Sequence, residues 1–104
     1  MAVLVFEALA DQTRRDLLDL LAGQERTAGD LAAEFPGVTR PAISRHLRVL
    51  REAGLVRVRA DAQRRVYRID PTGLVEVDAW LARHRHFWAN ALDQREHHLT
   101  QPKE

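Results

Sequence analysis

Arginine side chains concentrate in one segment of this 104-residue chain. Between residues 39 and 68 there are nine arginines against two acids, Glu52 and Asp61, which gives a local net charge of +7. The other residues carry seven basic and thirteen acidic side chains, a balance of −6, so the formal net charge of +1 hides the segregation. Guanidinium groups bind phosphates and the O6 and N7 atoms of guanine. The distribution therefore predicts a binding site for a polyanion, with a merely solvated helix surface as the alternative.

The segment 40–53 is predicted to carry part of this charge on an amphipathic helix. Thr39 is a favoured N-cap residue, and Gly54 is the residue type that commonly follows a last helical turn. At about 100° per residue, three apolar residues share one narrow sector of this helix and are expected to be buried. They are Ile43, Leu47 and Leu50.

The opposite side of this helix carries residues suited to DNA. Pro41, Arg45 and Arg48 lie there, and Ser44 lies on its flank. An α-helix fits the major groove of B-form DNA, where arginine reads guanine and serine bonds base edges or phosphates. The short turn "PGVT" joins this helix to a preceding one predicted at 27–35. Two helices joined in this way indicate a helix-turn-helix motif.

A basic β-hairpin is predicted directly after this helix. The runs "LVRVRA" and "RRVYRID" alternate apolar and polar residues on either side of "DAQ", which is the pattern of two paired strands over 55–70. Arg59, Arg64 and Arg65 near the tip are expected to grip phosphate or to enter the adjacent minor groove.

The remaining elements follow from apolar spacing and from capping residues, with Asp11 expected to cap the second helix and Thr27 the third. Helices are expected at 2–9, 11–22, 27–35 and 40–53, the hairpin at 55–70, and one long helix at 71–99. Asp70 is expected to cap that last helix, with a proline in its first turn. The sequence therefore predicts a single, mainly α domain over residues 1–104 with a small β-hairpin.

Residues 6–70 resemble a known family. "FEALADQTRRDLLDLL", "LAAEF", "TRPAISRHLRVLREAGLVRVR" and "RRVYRID" are similar to the ArsR (ArsR/SmtB) family of bacterial winged-helix repressors, most specifically over residues 44–56 and 65–69. The resemblance implies a winged helix-turn-helix fold. It also implies a homodimeric repressor that binds an inverted repeat near its own promoter and dissociates when an effector is sensed. The DNA contacts it implies are Thr39, Arg40, Ser44, Arg45 and His46. Arg40 stands where the family often has glutamine, so the preferred base stays open.

Apolar residues of the first and last predicted helices exceed what a monomer of this size readily covers. We therefore expect these two helices to form a homodimer interface. The candidate interface residues are Leu4, Phe6, Leu81, Trp88 and Leu92.

Two metal sites of the family can be compared with this chain. One uses thiolates, and the chain has no cysteine. The other lies on the last helix, where His84, His86 and His97 reproduce part of the ligand spacing, but Thr100 stands in place of the last ligand. We expect no metal site, while a zinc- or nickel-responsive repressor using these histidines is the alternative. An unidentified small-molecule effector also stays open.

Composition argues against several other classes. The lack of cysteine excludes disulfides and thiol redox sensing for this chain. No apolar run approaches the roughly 20 residues of a membrane span, and the start has no cleavage signal, so a cytoplasmic protein without a membrane partner is expected. No catalytic constellation appears at a workable spacing, so we expect neither an enzyme nor a cofactor. A winged helix used only for protein interaction is the alternative function, although the segregated charge favours double-stranded DNA.

Overall fold

Six helices and three strands form the described part of the chain, which in this computed structural model covers the backbone of residues 2–100 and the side chains of residues 4–95. The helices are α1 (Ala2–Leu9), α2 (Gln12–Leu21), α3 (Ala28–Ala33), α4 (Arg40–Glu52), α5 (Thr72–Arg83) and α6 (Arg85–Thr100). The strands are β1 (Arg26–Thr27), β2 (Val56–Asp61) and β3 (Arg64–Ile69). The predicted mainly α fold with a β-hairpin is confirmed.

One apolar core joins the first four helices to the hairpin. The predicted buried sector of α4 is confirmed, because Ile43, Leu47 and Leu50 are each at most 2 % exposed. They pack with Leu17 of α2 and Leu31 of α3, both fully buried. Burying a leucine or isoleucine side chain stabilises a fold by roughly 1.5 to 3 kcal/mol, so this cluster fixes α4 against the body of the protein.

Three helix starts are capped as their sequences predict. Asp11 caps α2, Thr27 caps α3 and Thr39 caps α4. In each case the side-chain oxygen accepts the backbone N–H three residues later, at 3.1, 3.1 and 3.3 Å respectively. These bonds satisfy N–H groups that have no partner inside their helices, so they fix where each helix begins.

The sheet has the order β1, β3, β2, with antiparallel pairing throughout. Asp61 pairs with Arg64, which leaves Ala62 and Gln63 as a two-residue turn, and Ala62 adopts a positive φ of 58°. The two-residue strand β1 pairs with the other edge of β3 and was not expected from the sequence. A strand this short cannot show the alternation by which strands are found.

The expected single helix over 71–99 is wrong, because the chain leaves the helical path at His84. His84 has φ −114° and ψ 16°, and its backbone N–H bonds to the carbonyl of Leu81, three residues back, at 3.2 Å. Its Nδ1 lies 3.0 Å from the carbonyl oxygen of Trp80. In a continuous helix, that oxygen would accept a hydrogen bond from the backbone N–H of residue 84. The side chain thus replaces the backbone donor, and α5 ends where α6 begins.

The entry into α5 differs from its prediction by one residue. The helix begins at Thr72, and Asp70 lies just before its N-cap residue. Asp70 Oδ1 accepts from the backbone N–H of Thr72 at 3.0 Å and from its hydroxyl at 2.7 Å, while Oδ2 lies 3.1 Å from Nε of Arg57. The carboxylate therefore joins the start of α5 to strand β2.

Candidate nucleic-acid interface

The outer side of α4 is basic and exposed. Arg45, Arg48 and Arg51 are exposed, as are Pro41 and Ser44 between and beside them. Within the described residues, none of these three arginines forms an ion pair or a side-chain hydrogen bond. Their guanidinium groups therefore keep all their donors for an external anion.

A groove of about 250 Å³ separates α4 from the hairpin. It is lined by Ser44, Leu47, Arg48, Arg51, Arg65 and Tyr67. The buried side chains of Leu47 and Tyr67 lie on the core side of the groove, whereas the three arginines are exposed. Three guanidinium groups around one open groove create a strongly positive potential, which suits a phosphate backbone.

Strand register places only one of the three predicted hairpin arginines beside this groove. Side chains alternate along a strand, so Arg65 shares the face of Tyr67, which turns towards α4. Arg64 lies on the other face, with Nη2 2.8 Å from Oδ2 of Asp61. The prediction that Arg64 and Arg65 act alike is therefore not supported by their surroundings.

Arg59 also lies on the face turned away from α4. Its Nη2 is 2.9 Å from Oε1 of Glu25, and this hydrogen bond holds the pKa of Glu25 below its ordinary value. The pair links strand β2 to the segment before β1, so Arg59 sits along the strand with a partner of its own and not at the hairpin tip.

The N-terminal end of α4 holds two more predicted contacts. Thr39 is exposed, and its oxygen accepts the backbone N–H of Ala42, which leaves its hydroxyl hydrogen available. The guanidinium of Arg40 lies over Gly29 of α3, with Nη2 3.6 Å from the position that a Cβ on that glycine would occupy. Arg40 is exposed and forms no ion pair with another described residue.

His46 does not join the basic face, in contrast to the contact that the family resemblance implies. Its ring is half-buried, and Nδ1 lies 3.2 Å from Nη1 of Arg14 and 3.8 Å from Oδ2 of Asp11. On the helix, residue 46 stands only about 60° from Ile43, beside the buried sector, and therefore turns towards α2.

Arg51 is the groove residue that the sequence interpretation left out. In the sequence it counted only as one of the nine arginines between residues 39 and 68. Arg51 follows Ser44 by seven positions, so the two residues lie within about 20° of each other around the axis of α4. That spacing was the available signal, since it puts Arg51 two turns further along the face that Ser44 occupies.

The histidines of the last helices do not assemble a metal site among the described side chains. His84 directs Nδ1 to the carbonyl of Trp80, and His86 is exposed. His97 lies outside the described side chains. Over residues 4–95, no group of three or more histidine, aspartate or glutamate side chains comes within reach of one ion.

The candidate interface residues of α1, α5 and α6 form an apolar surface. Leu4 is 47 % exposed, Phe6 42 %, Leu81 44 % and Leu92 66 %. Trp88 is half-buried, because its ring lies 5.3 Å from the ring of Trp80, measured between centroids. The tryptophan thus belongs to an aromatic cluster inside the subunit and only borders the exposed surface.

None of the described helices has the length and apolar character needed to cross a bilayer.

The basic helix, the turn before it and the hairpin after it define a winged helix-turn-helix of the DNA-binding kind. Residues 9–59 match a family model described as a helix-turn-helix domain.

Sequence relatives agree with this class. The HTH-type transcriptional regulator Rv2034 of Mycobacterium tuberculosis (strain H37Rv) is 47 % identical over 87 residues, 84 % of this chain and 78 % of the relative. The transcriptional repressor SdpR of Bacillus subtilis (strain 168) is 39 % identical over 77 residues, 74 % of this chain and 84 % of the repressor.

Similar solved structures identify the family. The crystal structure of a possible transcriptional regulator for arsenical resistance matches with a TM-score of 0.77 at 45 % identity and covers 93 % of this chain and 97 % of its own. The solution structure of Mb0332 (fragment 1–100) from Mycobacterium bovis, a homodimeric winged helix-turn-helix DNA-binding domain and possible ArsR-family regulator, matches with a TM-score of 0.62 at 33 % identity, covering 81 % and 82 %. The chain belongs to the ArsR family of winged helix-turn-helix transcriptional regulators, as its motifs predicted, and its function is DNA-binding transcriptional regulation.

Proposed function

We propose that this protein is a homodimeric repressor that binds an inverted-repeat operator through α4 and the groove beside the hairpin. One observation carries the proposal: exposed arginines of α4 and β3 surround a single groove and have no acidic partner among the described residues. Arginines whose charge is already neutralised lie elsewhere, at Arg57, Arg59 and Arg64. The unpaired charge is thus concentrated where the fold presents a helix to the major groove.

Different residues contact the bases and the phosphate backbone of the DNA in this proposal. Arg45 projects from the side of α4 opposite its buried sector, and we assign it and Arg40 at the helix start to base edges. Thr39, Pro41 and Ser44 line the same N-terminal half and contact bases or the adjoining backbone. Arg48, Arg51 and Arg65 surround the groove, and we assign them to phosphates, which fix register without reading sequence.

The dimer is supported by the apolar surface of α1, α5 and α6. Helix α6 has its main tertiary contacts with α5, so in a single subunit some of its large apolar side chains face water. Leu92 and Phe87 are 66 % and 61 % exposed there. Several large apolar side chains left exposed on such helices favour an interaction site, and the Mycobacterium bovis relative of similar fold is homodimeric. A two-fold dimer presents its α4 helices to two half-sites about one helical turn apart, roughly 34 Å.

Repression follows from occupancy of a promoter by such a dimer, and the Bacillus subtilis relative is named as a transcriptional repressor. Regulation of the protein's own operon and release by a small-molecule effector are further parts of the proposal. The zinc- or nickel-responsive alternative gains no support from the described side chains, since His84 bonds Trp80 and no group of three or more possible metal ligands occurs among residues 4–95.

Salt dependence of DNA binding tests the assignment of the groove. We would measure the affinity for duplex DNA by fluorescence anisotropy over a range of salt for wild type, Arg48→Ala, Arg51→Ala and Arg65→Ala. Each variant is expected to bind all sequences more weakly and to reduce the slope of log K against log salt by about 1. Arg59→Ala is the matched control, because it removes the same charge from the same hairpin on the face away from α4. Equal losses in Arg65→Ala and Arg59→Ala would contradict the groove assignment.

A further inference from the structure

One arginine outside the basic face connects three helices. Arg14, in the first turn of α2, donates from Nε to the carbonyl of Ala8 at 2.7 Å and from Nη2 to the carbonyl of Glu7 at 3.1 Å. Its Nη1 lies 3.2 Å from Nδ1 of His46 on α4. The last carbonyls of a helix have no partner inside it, so Arg14 closes the C-terminal end of α1 and at the same time holds α4.

The chemistry of the two side chains fixes the direction of their bond. A guanidinium group only donates hydrogen bonds, so Nδ1 of His46 accepts and the imidazole hydrogen sits on Nε2. Asp11 Oδ2 is 3.8 Å from the same Nδ1, and it already accepts the backbone N–H of Arg14 at 3.1 Å. The carboxylate therefore supports Arg14, while His46 is bonded to the guanidinium.

We propose that Arg14 and His46 are positioning residues for DNA binding, which fix α4 relative to α1 and thereby set the distance between the two α4 helices of a dimer. This inference rests on the proposed function, since α1 carries Leu4 and Phe6 of the exposed apolar surface. Through Arg14, the C-terminal end of the interface helix α1 is joined to α4, the helix assigned to the major groove of DNA. Without this bond, the described contacts between α4 and these helices are mainly apolar, and apolar packing resists sliding and rotation less than a directional bond does.

A positioning residue and a residue that contacts DNA directly control different properties of binding. A residue that touches a base or phosphate contributes to each half-site separately. A residue that sets the distance between two half-sites contributes only when both are occupied at a fixed spacing. Affinity for one half-site and preference for one spacing therefore separate the two roles.

The experiment uses DNA selected by the wild-type protein from a random duplex library. Binding would be measured on the selected duplex, on a duplex with one half-site, and on duplexes whose half-site spacing is one or two base pairs longer or shorter. The variants are His46→Phe, which keeps a ring without an acceptor, and His46→Asn, whose amide oxygen accepts near the position of Nδ1. Arg14→Lys and the double variant Arg14→Lys/His46→Phe complete the set. Thermal unfolding and light scattering report folding and the dimer.

The expected result is a loss of about tenfold on the selected duplex for His46→Phe and for Arg14→Lys, the size of one hydrogen bond to a charged group. Affinity for the one-half-site duplex should change less than about twofold, and the preference for one spacing should broaden. His46→Asn should restore both properties, and the double variant should lose no more than Arg14→Lys alone, because the bond that His46→Phe removes is already lost in that variant. Should His46→Phe not fold, Arg14→Lys and His46→Asn decide the matter.

Equal losses on the one-half-site and selected duplexes, with unchanged spacing preference, would show that His46 contacts DNA and would overturn the positioning role. Additive losses in the double variant would overturn it as well. Wild-type protein that does not distinguish two half-sites from one would instead overturn the proposed dimeric function, which makes the two failures distinguishable.

Discussion

Arginines of this protein differ in what their guanidinium groups already contact. Arg14 and Arg15 bond to carbonyls at the end of α1, and Arg59 shares its charge with Glu25. Arg45 and Arg48 on the exposed face of α4 have no such partner among the described residues. Composition alone counts all of them equally, whereas the structure separates arginines that hold the fold from those available to DNA.

Arg45 gives the most specific residue-level prediction. If its guanidinium reads a guanine, Arg45→Ala should cost about 1 to 3 kcal/mol of binding free energy on the preferred duplex and relax the preference at one base pair of each half-site. Competition binding with duplexes substituted at single positions measures this. Arg51→Ala is the control, because its loss should be similar for every base substitution. A uniform loss in Arg45→Ala would contradict base reading.

Asp70 predicts a pH dependence of stability. The backbone N–H of Thr72, then its hydroxyl, and then Arg57 lower the pKa of Asp70 in the folded state. Because the folded pKa lies below the unfolded value of about 3.9, the stabilisation is complete above that value and is lost as pH falls through the folded pKa. Asp70→Asn should therefore unfold at lower urea concentration than wild type at neutral pH. The difference should shrink at about pH 3, and a constant difference down to that pH would contradict this linkage.

Local contacts were predictable at this scale and distant ones were not. The caps at Asp11, Thr27 and Thr39 follow from residue type and a three-residue spacing, and all three were predicted. The bond between Arg14 and His46 spans 32 positions of sequence. Nothing in the spacing of either residue identifies such a partner, because the bond depends on how α2 packs against α4.

At the scale of elements, close approach of α5 to the end of α4 depends on Gly73. Its N–H donates to the carbonyl of Gly54 at 2.8 Å, and a Cβ on Gly73 would lie 2.8 Å from the carbonyl oxygen of Ala53. Backbone atoms on both sides leave no flexible group to yield. The glycine therefore sets how closely the first helix after the hairpin joins the DNA-binding unit.

Gly73→Ala should lower the free energy of unfolding by about 1 to 3 kcal/mol, the usual cost of overpacking. Urea unfolding measures the change. Gly29→Ala is the matched control: its Cβ would meet Arg40 at an ordinary 3.6 Å, and replacing a helical glycine by alanine should raise stability by up to about 1 kcal/mol. Equal stability of Gly73→Ala and wild type would show that α5 does not rest tightly on α4.

The elements that were mispredicted are those governed by tertiary contact or by unusual side-chain bonding. The helix break at His84 has neither proline nor glycine to announce it, and it depends on a side chain taking the carbonyl of Trp80. Strand β1 exists because β3 offers it a partner edge. The helices with strong apolar periodicity, above all α4, were predicted closely because burial and spacing agree there.

At the scale of the whole molecule, the protein is elongated. It measures 62 × 30 × 22 Å with a radius of gyration of 17.4 Å, whereas a compact chain of this length has about 13 Å. Apolar residues exposed on α6, such as Leu92, are therefore far from the core that α4 shares. A second subunit is the natural cover for them, which makes dimerisation separable from folding of the DNA-binding unit.

Leu92→Asp should dissociate the dimer and weaken operator binding without altering the DNA face. The substitution removes an apolar side chain worth roughly 1.5 to 3 kcal/mol when buried and puts a charge in its place. Light scattering and anisotropy on the same sample measure both effects. Asn90→Asp is the control, because it adds the same charge to α6 about 200° around the helix. A Leu92→Asp monomer that still binds operator tightly would contradict the dimer proposal.

Selection of binding sites from a random duplex library tests the central claim most directly, since it requires neither a known operator nor a known effector. Purified protein would be cycled against random duplexes at fixed salt, and the retained DNA sequenced beside that retained by Arg45→Ala. The account predicts enriched duplexes with two half-sites related by a two-fold axis, about 10 base pairs between centres, and relaxed preference at one position per half-site in the variant. Enrichment of no sequence, or of a single asymmetric site bound equally by both proteins, would contradict it.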